Sequence, residues 1–113
     1  MKIQRAEIVA IPFPFTDMST RKLRPVLALT SPDQRDDFIG LAVTSVLTEK
    51  KSVCLQAESM RSGLLPKTSW VRYDKIFTLS ASLIKKRYGT LQNDVFQEII
   101  DRLCDHLGCR GSL

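Results

Sequence analysis

Short apolar runs bounded by turn residues occupy most of the chain, a pattern that is typical of β-strands. Residues 7–13 are rich in β-branched and aromatic side chains, and they end at prolines, which cannot donate a hydrogen bond to a sheet. Residues 24–30 form a second apolar run that predicts a strand buried on both faces. A polar loop over residues 16–22 separates the two runs.

Later segments extend the predicted sheet. Residues 38–48 and 52–56 are apolar runs on either side of a charged turn, so they predict a hairpin. Residues 68–73 alternate in character, which predicts a strand whose odd-numbered and even-numbered side chains point to opposite faces. Residues 80–87 are expected to contain one helical turn.

The period of the pattern changes near the end of the chain. Over residues 93–107, apolar side chains recur every three or four positions and mostly acidic ones occupy the other side, which predicts one amphipathic helix ending at Gly108. Short strands followed by one helix predict a mainly β fold: a small antiparallel barrel or strongly bent sheet with the helix against it. No linker or repeat divides the chain, so residues 1–113 are predicted to form a single domain.

Composition fits one globular domain, because 43% of the 113 residues are hydrophobic and 26% are charged. The most apolar run, residues 8–15, is far shorter than the roughly 20 residues that a membrane span needs, so no membrane association is predicted. No secretory signal is visible at the start, and the three cysteines are interpreted as free thiols. These features predict a cytoplasmic protein.

Charge is distributed unevenly along the chain. Residues 1–91 contain fifteen Lys and Arg against eight Asp and Glu, a balance of +7, whereas residues 92–113 contain two against four, a balance of −2. A basic excess of this size attracts polyanions, of which nucleic acid is the most common. A basic balance by itself also serves solubility, so it does not decide between nucleic-acid binding and a purely solubilising role.

Several kinds of catalytic site are disfavoured by the residues present. The chain has one histidine, His106, so a pair of histidines for acid–base catalysis is impossible within one chain. His106 lies between Cys104 and Cys109 at an irregular spacing, which favours ordinary thiols over a metal site. The carboxylates of residues 33–37 surround an arginine and predict a solvated turn. We predict neither a metal nor a cofactor.

The remaining chemistry lies in Arg, Thr, Ser and Asp side chains on strands. Arg24 precedes a proline that restricts its backbone to extended conformations, and a guanidinium is a fork of donors suited to phosphate. Thr44 and Ser45 interrupt an apolar strand, where hydroxyls bond to neighbouring backbone or face a ligand. Arg72 and Asp74, two residues apart, would ordinarily form a surface ion pair.

These residues belong to motifs that follow one another from about residue 5 to residue 108: RAEIV and FPFTD, then KLRPVL, LAVTS, GLL with SWVRYD, and GTL before the helix. Together they resemble the MazF/PemK-like toxins of bacterial toxin–antitoxin systems. The resemblance implies a small SH3-like barrel of the MazF/PemK/CcdB type. It also implies a homodimer that cuts single-stranded RNA without a metal and is neutralised by an acidic antitoxin segment.

Carried over residue by residue, the resemblance implies that Arg24 and Thr44 are the catalytic residues. It assigns supporting roles in RNA binding or catalysis to Thr16, Asp17, Ser45, Arg72 and Asp74. The sequence departs from the family in having Ala6 where glycine is usual and in the composition of residues 17–22. The cut sequence therefore cannot be transferred from relatives.

An RNA cleavage that uses neither metal nor histidine requires the 2′-hydroxyl of the RNA as nucleophile, with the protein orienting it and stabilising the charge on phosphorus. Unstacked bases are expected to contact Phe15, Trp70 or Tyr73. Two alternatives remain. One is a related toxin that inhibits a protein target such as DNA topoisomerase, and the other is a non-catalytic SH3-like module that binds an acidic peptide.

Overall fold

The computed structural model describes residues 3–14 and 21–109, and within these ranges the chain forms strands followed by one α-helix, α1 (Asn93–Leu107). No helix in this part of the chain is long and apolar enough to cross a membrane. The strands are β1 (Glu7–Pro14), β2 (Arg21–Ala28), β3 (Asp37–Thr44), β4 (Ser52–Leu55), β5 (Met60–Gly63), β6 (Ser69–Ser80) and β7 (Lys86–Leu91).

The described strands form one seven-stranded sheet in the order β4-β6-β3-β2-β1-β7-β5. Every paired neighbour is antiparallel. The sheet is curled, and α1 packs against β6. The predicted mainly β fold with a C-terminal helix is therefore confirmed, as is Gly108 as the helix end, where its left-handed backbone (φ 73°) caps α1.

Two hydrophobic cores cover the two faces of the sheet. We call the side that packs on α1 the helix face, and its core includes Phe96, Ile99 and Leu103 of the helix. We call the other side the outer face, and its core contains the alternate residues of the same central strands, among them Val9 and Val26. Because both faces are covered there, residues 26–28 of β2 are fully buried, as the sequence predicted.

The predicted hairpin of residues 38–48 and 52–56 is wrong. β3 and β4 both pair with β6, which lies between them, so they are not neighbours in the sheet. The twelve residues of β6 offer one edge to β3 over nearly its whole length and the other edge to β4 at its start. The long-range pairing therefore prevails over the local turn signal, and the intervening segment connects two strands that lie on opposite edges of β6.

Other strands were not predicted or were predicted too short. β6 continues to Ser80, the helical turn expected within residues 80–87 is present as a 3₁₀ turn at Ala81–Leu83, and the chain then enters β7. β5 and β7 meet where Gly63 pairs with Gly89. A side chain at Gly63 would place its Cβ 2.1 Å from the Tyr88 carbonyl oxygen, so this crossing requires glycine.

Candidate nucleic-acid interface and active site

Strand register brings Arg24 and Thr44 together on the outer face. β2 and β3 are paired from Ala28 and Gly40 to Val26 and Ala42, and the same register continued by two residues places Arg24 opposite Thr44. Pairing ends at Val26, next to Pro25, which has no N–H to donate. Residues 24 and 44 thus lie where two central strands stop pairing.

Two cavities of about 320 Å³ each adjoin this point, and both are lined by Arg24 and Thr44. One, which we call the Lys67 cavity, also contains Ser45. The other, the Lys75 cavity, has Val26 and Ala42 in its lining and Arg72 at its side. We refer to the two cavities together as the Arg24–Thr44 cleft. Volumes of this size are at the lower end of those seen for ligand sites.

The Thr44 hydroxyl is oriented by the backbone of the turn that follows it. Its Oγ1 accepts a hydrogen bond of 3.1 Å from the backbone N–H of Val46, which closes the turn at the end of β3. A hydroxyl that accepts one hydrogen bond keeps its proton to donate to another group. Both interpretations of this hydroxyl, a backbone contact and a ligand contact, are therefore compatible at Thr44.

Arg72 and Asp74 form the predicted ion pair. Arg72 Nε lies 3.3 Å from Asp74 Oδ1 and Nη2 lies 3.1 Å from Oδ2, so two parallel hydrogen bonds join the groups. The pair sits at an irregularity of β6, where Ala42 pairs with Arg72 but Leu41 pairs with Ile76. Arg72 lines the Lys75 cavity, whereas Asp74, which binds its guanidinium, is not among the lining residues.

Asp74 is a charged partner in this pair. Burial raises the pKa of its carboxyl, but the hydrogen bonds and the positive charge of Arg72 together outweigh burial, and the pKa lies below its ordinary value of 3.8. Asp74 is consequently an ionised carboxylate at neutral pH. An ionised carboxylate accepts protons and hydrogen bonds but cannot serve as an acid.

The cleft is cationic. Besides Arg24 and Arg72, the side chains of Lys67 and Lys75 line its two cavities, and no Asp or Glu among the described residues does so. The sequence analysis missed both lysines because a single lysine, whether before β6 as Lys67 or within β6 as Lys75, carries no motif. Their place beside Thr44 follows from the folded structure, in which each lysine lines one of the two cavities.

The aromatic residues are distributed differently from the prediction. Trp70 is half-buried and pairs with Thr44 across β3 and β6. Tyr73 instead packs against the helix-face core, with its ring centroid 5.7 Å from that of His106, because the odd-numbered residues of this part of β6 face the helix. The aromatic rings that line the cleft are those of Phe77 and Tyr88. Phe15, Thr16 and Asp17 lie outside the described residues.

The acidic segment forms the turn that its sequence predicts. Asp33 Oδ1 accepts hydrogen bonds from the backbone N–H groups of Arg35 (2.9 Å) and Asp37 (3.0 Å), and the latter lowers the pKa of Asp33. Neither Cys104 nor Cys109 forms a disulfide with another described residue. Over residues 3–14 and 21–109, no three His, Cys, Asp or Glu side chains come together as a metal ion would require.

Residues 4–107 match the family described as the PemK-like, MazF-like toxin of type II toxin-antitoxin systems. Because the match covers nearly the whole chain, the protein belongs to this toxin family. The resemblance found in the sequence motifs is therefore confirmed. Among curated proteins, no sequence matches significantly.

Solved structures share the fold at low sequence identity. MazF from Deinococcus radiodurans is 20% identical with a TM-score of 0.75, over 96% of this chain and 98% of that one. An endoribonuclease from a mycobacterial species, in complex with its cognate antitoxin, is 18% identical with a TM-score of 0.71, over 94% of this chain and 95% of the other. Toxin MazF-mt6 from Mycobacterium tuberculosis is 17% identical with a TM-score of 0.69, over 89% and 95%. These likenesses confirm the predicted MazF-type architecture.

Proposed function

We propose that the protein is an endoribonuclease that cuts single-stranded RNA in the Arg24–Thr44 cleft without a metal ion. The observation that carries the proposal is the placement of Arg24 and Thr44 at the end of one strand pair, where both line the same cationic cleft. Toxin-family membership and the printed activity of the mycobacterial relatives support the same conclusion.

In the proposed reaction, the 2′-oxygen of the RNA forms a bond to the adjacent phosphorus while the bond from phosphorus to the 5′-oxygen breaks. Water accepts the proton of the 2′-hydroxyl and returns one to the departing 5′-oxygen, which leaves a 2′,3′-cyclic phosphate and a free 5′-hydroxyl. Arg24 stabilises the negative charge that develops on the phosphate oxygens and donates a hydrogen bond to the departing 5′-oxygen. Thr44 donates a hydrogen bond from its hydroxyl to the scissile phosphate.

The supporting residues divide between substrate contact and positioning. Arg72 binds a neighbouring phosphate from the wall of the Lys75 cavity, and Asp74 fixes the direction of its guanidinium through two hydrogen bonds. Ser45 contacts RNA from the Lys67 cavity. Thr16 and Asp17 keep the role of substrate contacts that the family resemblance implies for them.

Incubation with a long RNA in excess EDTA tests the proposal against both alternatives. The endoribonuclease produces discrete fragments under these conditions, and a folded Arg24→Ala variant produces none. A toxin that inhibits a protein target leaves the RNA intact yet still arrests growth when expressed. A non-catalytic binding module neither cuts RNA nor arrests growth. Absence of cleavage by the folded wild-type protein would therefore refute the proposal.

We also propose that the protein forms a homodimer. Apolar side chains next to the cleft are strongly exposed, with Val46 at 70%, Leu47 at 65% and Leu64 at 71% of their full accessibility. A contact between two copies at this patch would bury them and place the two clefts near each other. Light scattering should show a dimer for the wild-type protein and a monomer for Val46→Glu, whereas Leu83→Glu, at an exposed site elsewhere, stays dimeric.

The positive charge of the Arg24–Thr44 cleft indicates the kind of protein partner. A cognate antitoxin with an acidic segment is expected to occupy the cationic cleft, as relatives have been solved with their antitoxins. RNA and antitoxin would then compete. Titration of the antitoxin into a complex with non-cleavable RNA should release the RNA, and a stable ternary complex would show that inhibition acts from another surface.

A further inference from the structure

A separate basic cavity lies at the start of β1, away from the Arg24–Thr44 cleft. Its volume is about 240 Å³, and it shares no residue with the cleft. Every residue that lines it is polar or charged: Gln4, Arg5, Glu7, Arg61, Arg87 and Thr90. We call it the Arg61 cavity. Three arginines and one carboxylate give it a net charge of +2.

The single carboxylate is already neutralised. Glu7 is buried, and its Oε2 accepts hydrogen bonds from Arg87 Nε at 2.9 Å and from Nη2 at 2.6 Å. Its Oε1 accepts a third hydrogen bond, of 2.8 Å, from the backbone N–H of Gln4. Since these contacts use Nε and Nη2, Arg87 keeps its Nη1 donors for another acceptor.

The other two arginines, Arg5 and Arg61, add positive charge to the cavity. The guanidinium of Arg5 lies over the ring of Phe96, 5.0 Å from the centroid, and this cation–π contact holds it in place. Arg61 is exposed and makes no hydrogen bond or ion pair with another described residue. The guanidinium groups of Arg5 and Arg87 are thus fixed by the fold before any ligand arrives, which lowers the entropic cost of binding an anion.

Size and chemistry together restrict the ligand. A cavity of about 240 Å³ is below the range of roughly 300–1,000 Å³ that is usual for drug-sized ligands, so it suits one small group. Guanidinium forks match the oxygens of a tetrahedral phosphate, and the Thr90 hydroxyl is a further donor. We propose that the Arg61 cavity binds a phosphate group.

The phosphate has two sources, a free phosphate ion or a phosphodiester of bound RNA. Glu7 is on the same side of β1 as Ile11, which pairs with Arg24. Four residues of strand correspond to a separation of about 13 Å. An RNA chain that extends from the cleft could therefore reach the Arg61 cavity, and this arm of the proposal rests on the proposed function.

Titration with inorganic phosphate, followed by the backbone amide NMR signals of Arg87 and Thr90, tests the site. Sodium chloride at matched ionic strength is the reference. We expect saturable shifts in the wild-type protein, at least tenfold weaker binding in Arg61→Gln, and unchanged binding in Arg35→Gln, which removes the same charge elsewhere. Glu7→Gln, which releases Arg87, should bind phosphate more tightly. Equal responses of wild type and Arg61→Gln, or equal shifts with chloride, would overturn the proposal.

An oligonucleotide in which every 2′-hydroxyl is replaced by hydrogen distinguishes the two sources. If RNA supplies the phosphate, Arg61→Gln lowers the slope of log affinity against log salt by about 0.7, the value for one contact on a single strand. An unchanged slope together with inorganic phosphate binding assigns the cavity to the free ion. Cleavage by the wild-type protein is measured separately, so failure of the nuclease proposal leaves the phosphate titration interpretable.

Discussion

The two ends of the β2–β3 pair differ more in their chemistry than in their shape. At the end where residues 30–37 connect the strands, the described residues enclose the larger cavity, of about 610 Å³. At the other end, Arg24 and Thr44 line two cavities of about 320 Å³ each. The size of a cavity would therefore favour the connecting end as the functional site.

The polar groups at the connecting end are used by the fold itself. The Thr30 hydroxyl accepts a hydrogen bond of 3.0 Å from the backbone N–H of Ile39, and Asp33 binds two further backbone N–H groups. At the cleft end the Thr44 hydroxyl and Arg72 are likewise held by hydrogen bonds within the fold, but four cationic side chains line the cavities without a carboxylate among the lining residues. The difference teaches that the net charge of the lining residues, rather than volume, distinguishes the candidate site from the larger cavity.

Removal of the arginine at each end gives the largest expected contrast. Arg24→Ala should lower the rate of RNA cleavage by at least about a hundredfold, because loss of one donor to a developing oxyanion costs about 3 kcal/mol. Arg35→Ala, at the connecting end, should leave the rate unchanged. Single-turnover cleavage of an RNA oligonucleotide by proteins of equal thermal stability checks the prediction. Comparable losses in both variants would remove the distinction between the two ends.

The two threonines form a matched pair for the next test. The hydroxyls of Thr44 and Thr30 each accept one backbone N–H, at 3.1 and 3.0 Å. Replacement by alanine should therefore lower the free energy of unfolding in both variants by about 1 kcal/mol. Only Thr44→Ala should also slow cleavage, by about tenfold or more, and Thr44→Ser should restore much of the rate. Urea denaturation and cleavage assays on the same samples separate the two effects.

The smallest effect concerns acid stability, since each region contains an aspartate of lowered pKa. Arg72 charge and hydrogen bonding lower the pKa of Asp74 against its burial, whereas the Asp37 N–H is the main cause at Asp33. A lowered folded-state pKa stabilises the protein above the ordinary value of 3.8 and loses that contribution as the pH falls through the folded-state value.

Asp74→Asn and Asp33→Asn should accordingly each flatten the loss of unfolding free energy below about pH 4. High salt should reduce the Asp74 effect more than the Asp33 effect, because the charge of Arg72 is a leading cause at Asp74 whereas the charge of Arg35 is a minor cause at Asp33. Chemical denaturation from pH 6 to pH 3, at low salt and at about 1 M NaCl, measures both. An Asp74 effect that is independent of salt would contradict the role given to Arg72.

The sequence predicted the parts of the molecule that depend on local patterns. The helix over 93–107 and the strand that begins near Arg24 follow from hydrophobic periodicity and from a single proline, and both were found. The pairing of β3 with β6 could not be predicted in this way, because it joins residues about 35 positions apart and overrides a turn signal. β7 was missed since its charged start resembles a loop.

The candidate site shows the same division. Arg24, Thr44, Arg72 and Asp74 belong to short motifs, so sequence alone singled them out. Their arrangement depends on sheet register, which is why the sequence did not predict that Arg72 lines the cleft whereas Asp74 does not.

The alanine at position 6, where the family resemblance implies glycine, has a structural consequence. Its backbone φ is 76°, in the left-handed region that glycine adopts without strain. The glycine that the family resemblance implies at this position would suit this backbone conformation, so the alanine places a side chain at a strained position.

End-group analysis of the RNA fragments tests the central claim most directly. Wild-type protein should cut single-stranded RNA in EDTA and leave a 2′,3′-cyclic phosphate on the upstream fragment and a free 5′-hydroxyl on the downstream one. The proposed mechanism predicts that result, because in it the Arg24–Thr44 cleft stabilises the developing charge while the RNA supplies its own nucleophile. A 5′-phosphate on the downstream fragment would show that water was the nucleophile and would contradict the account.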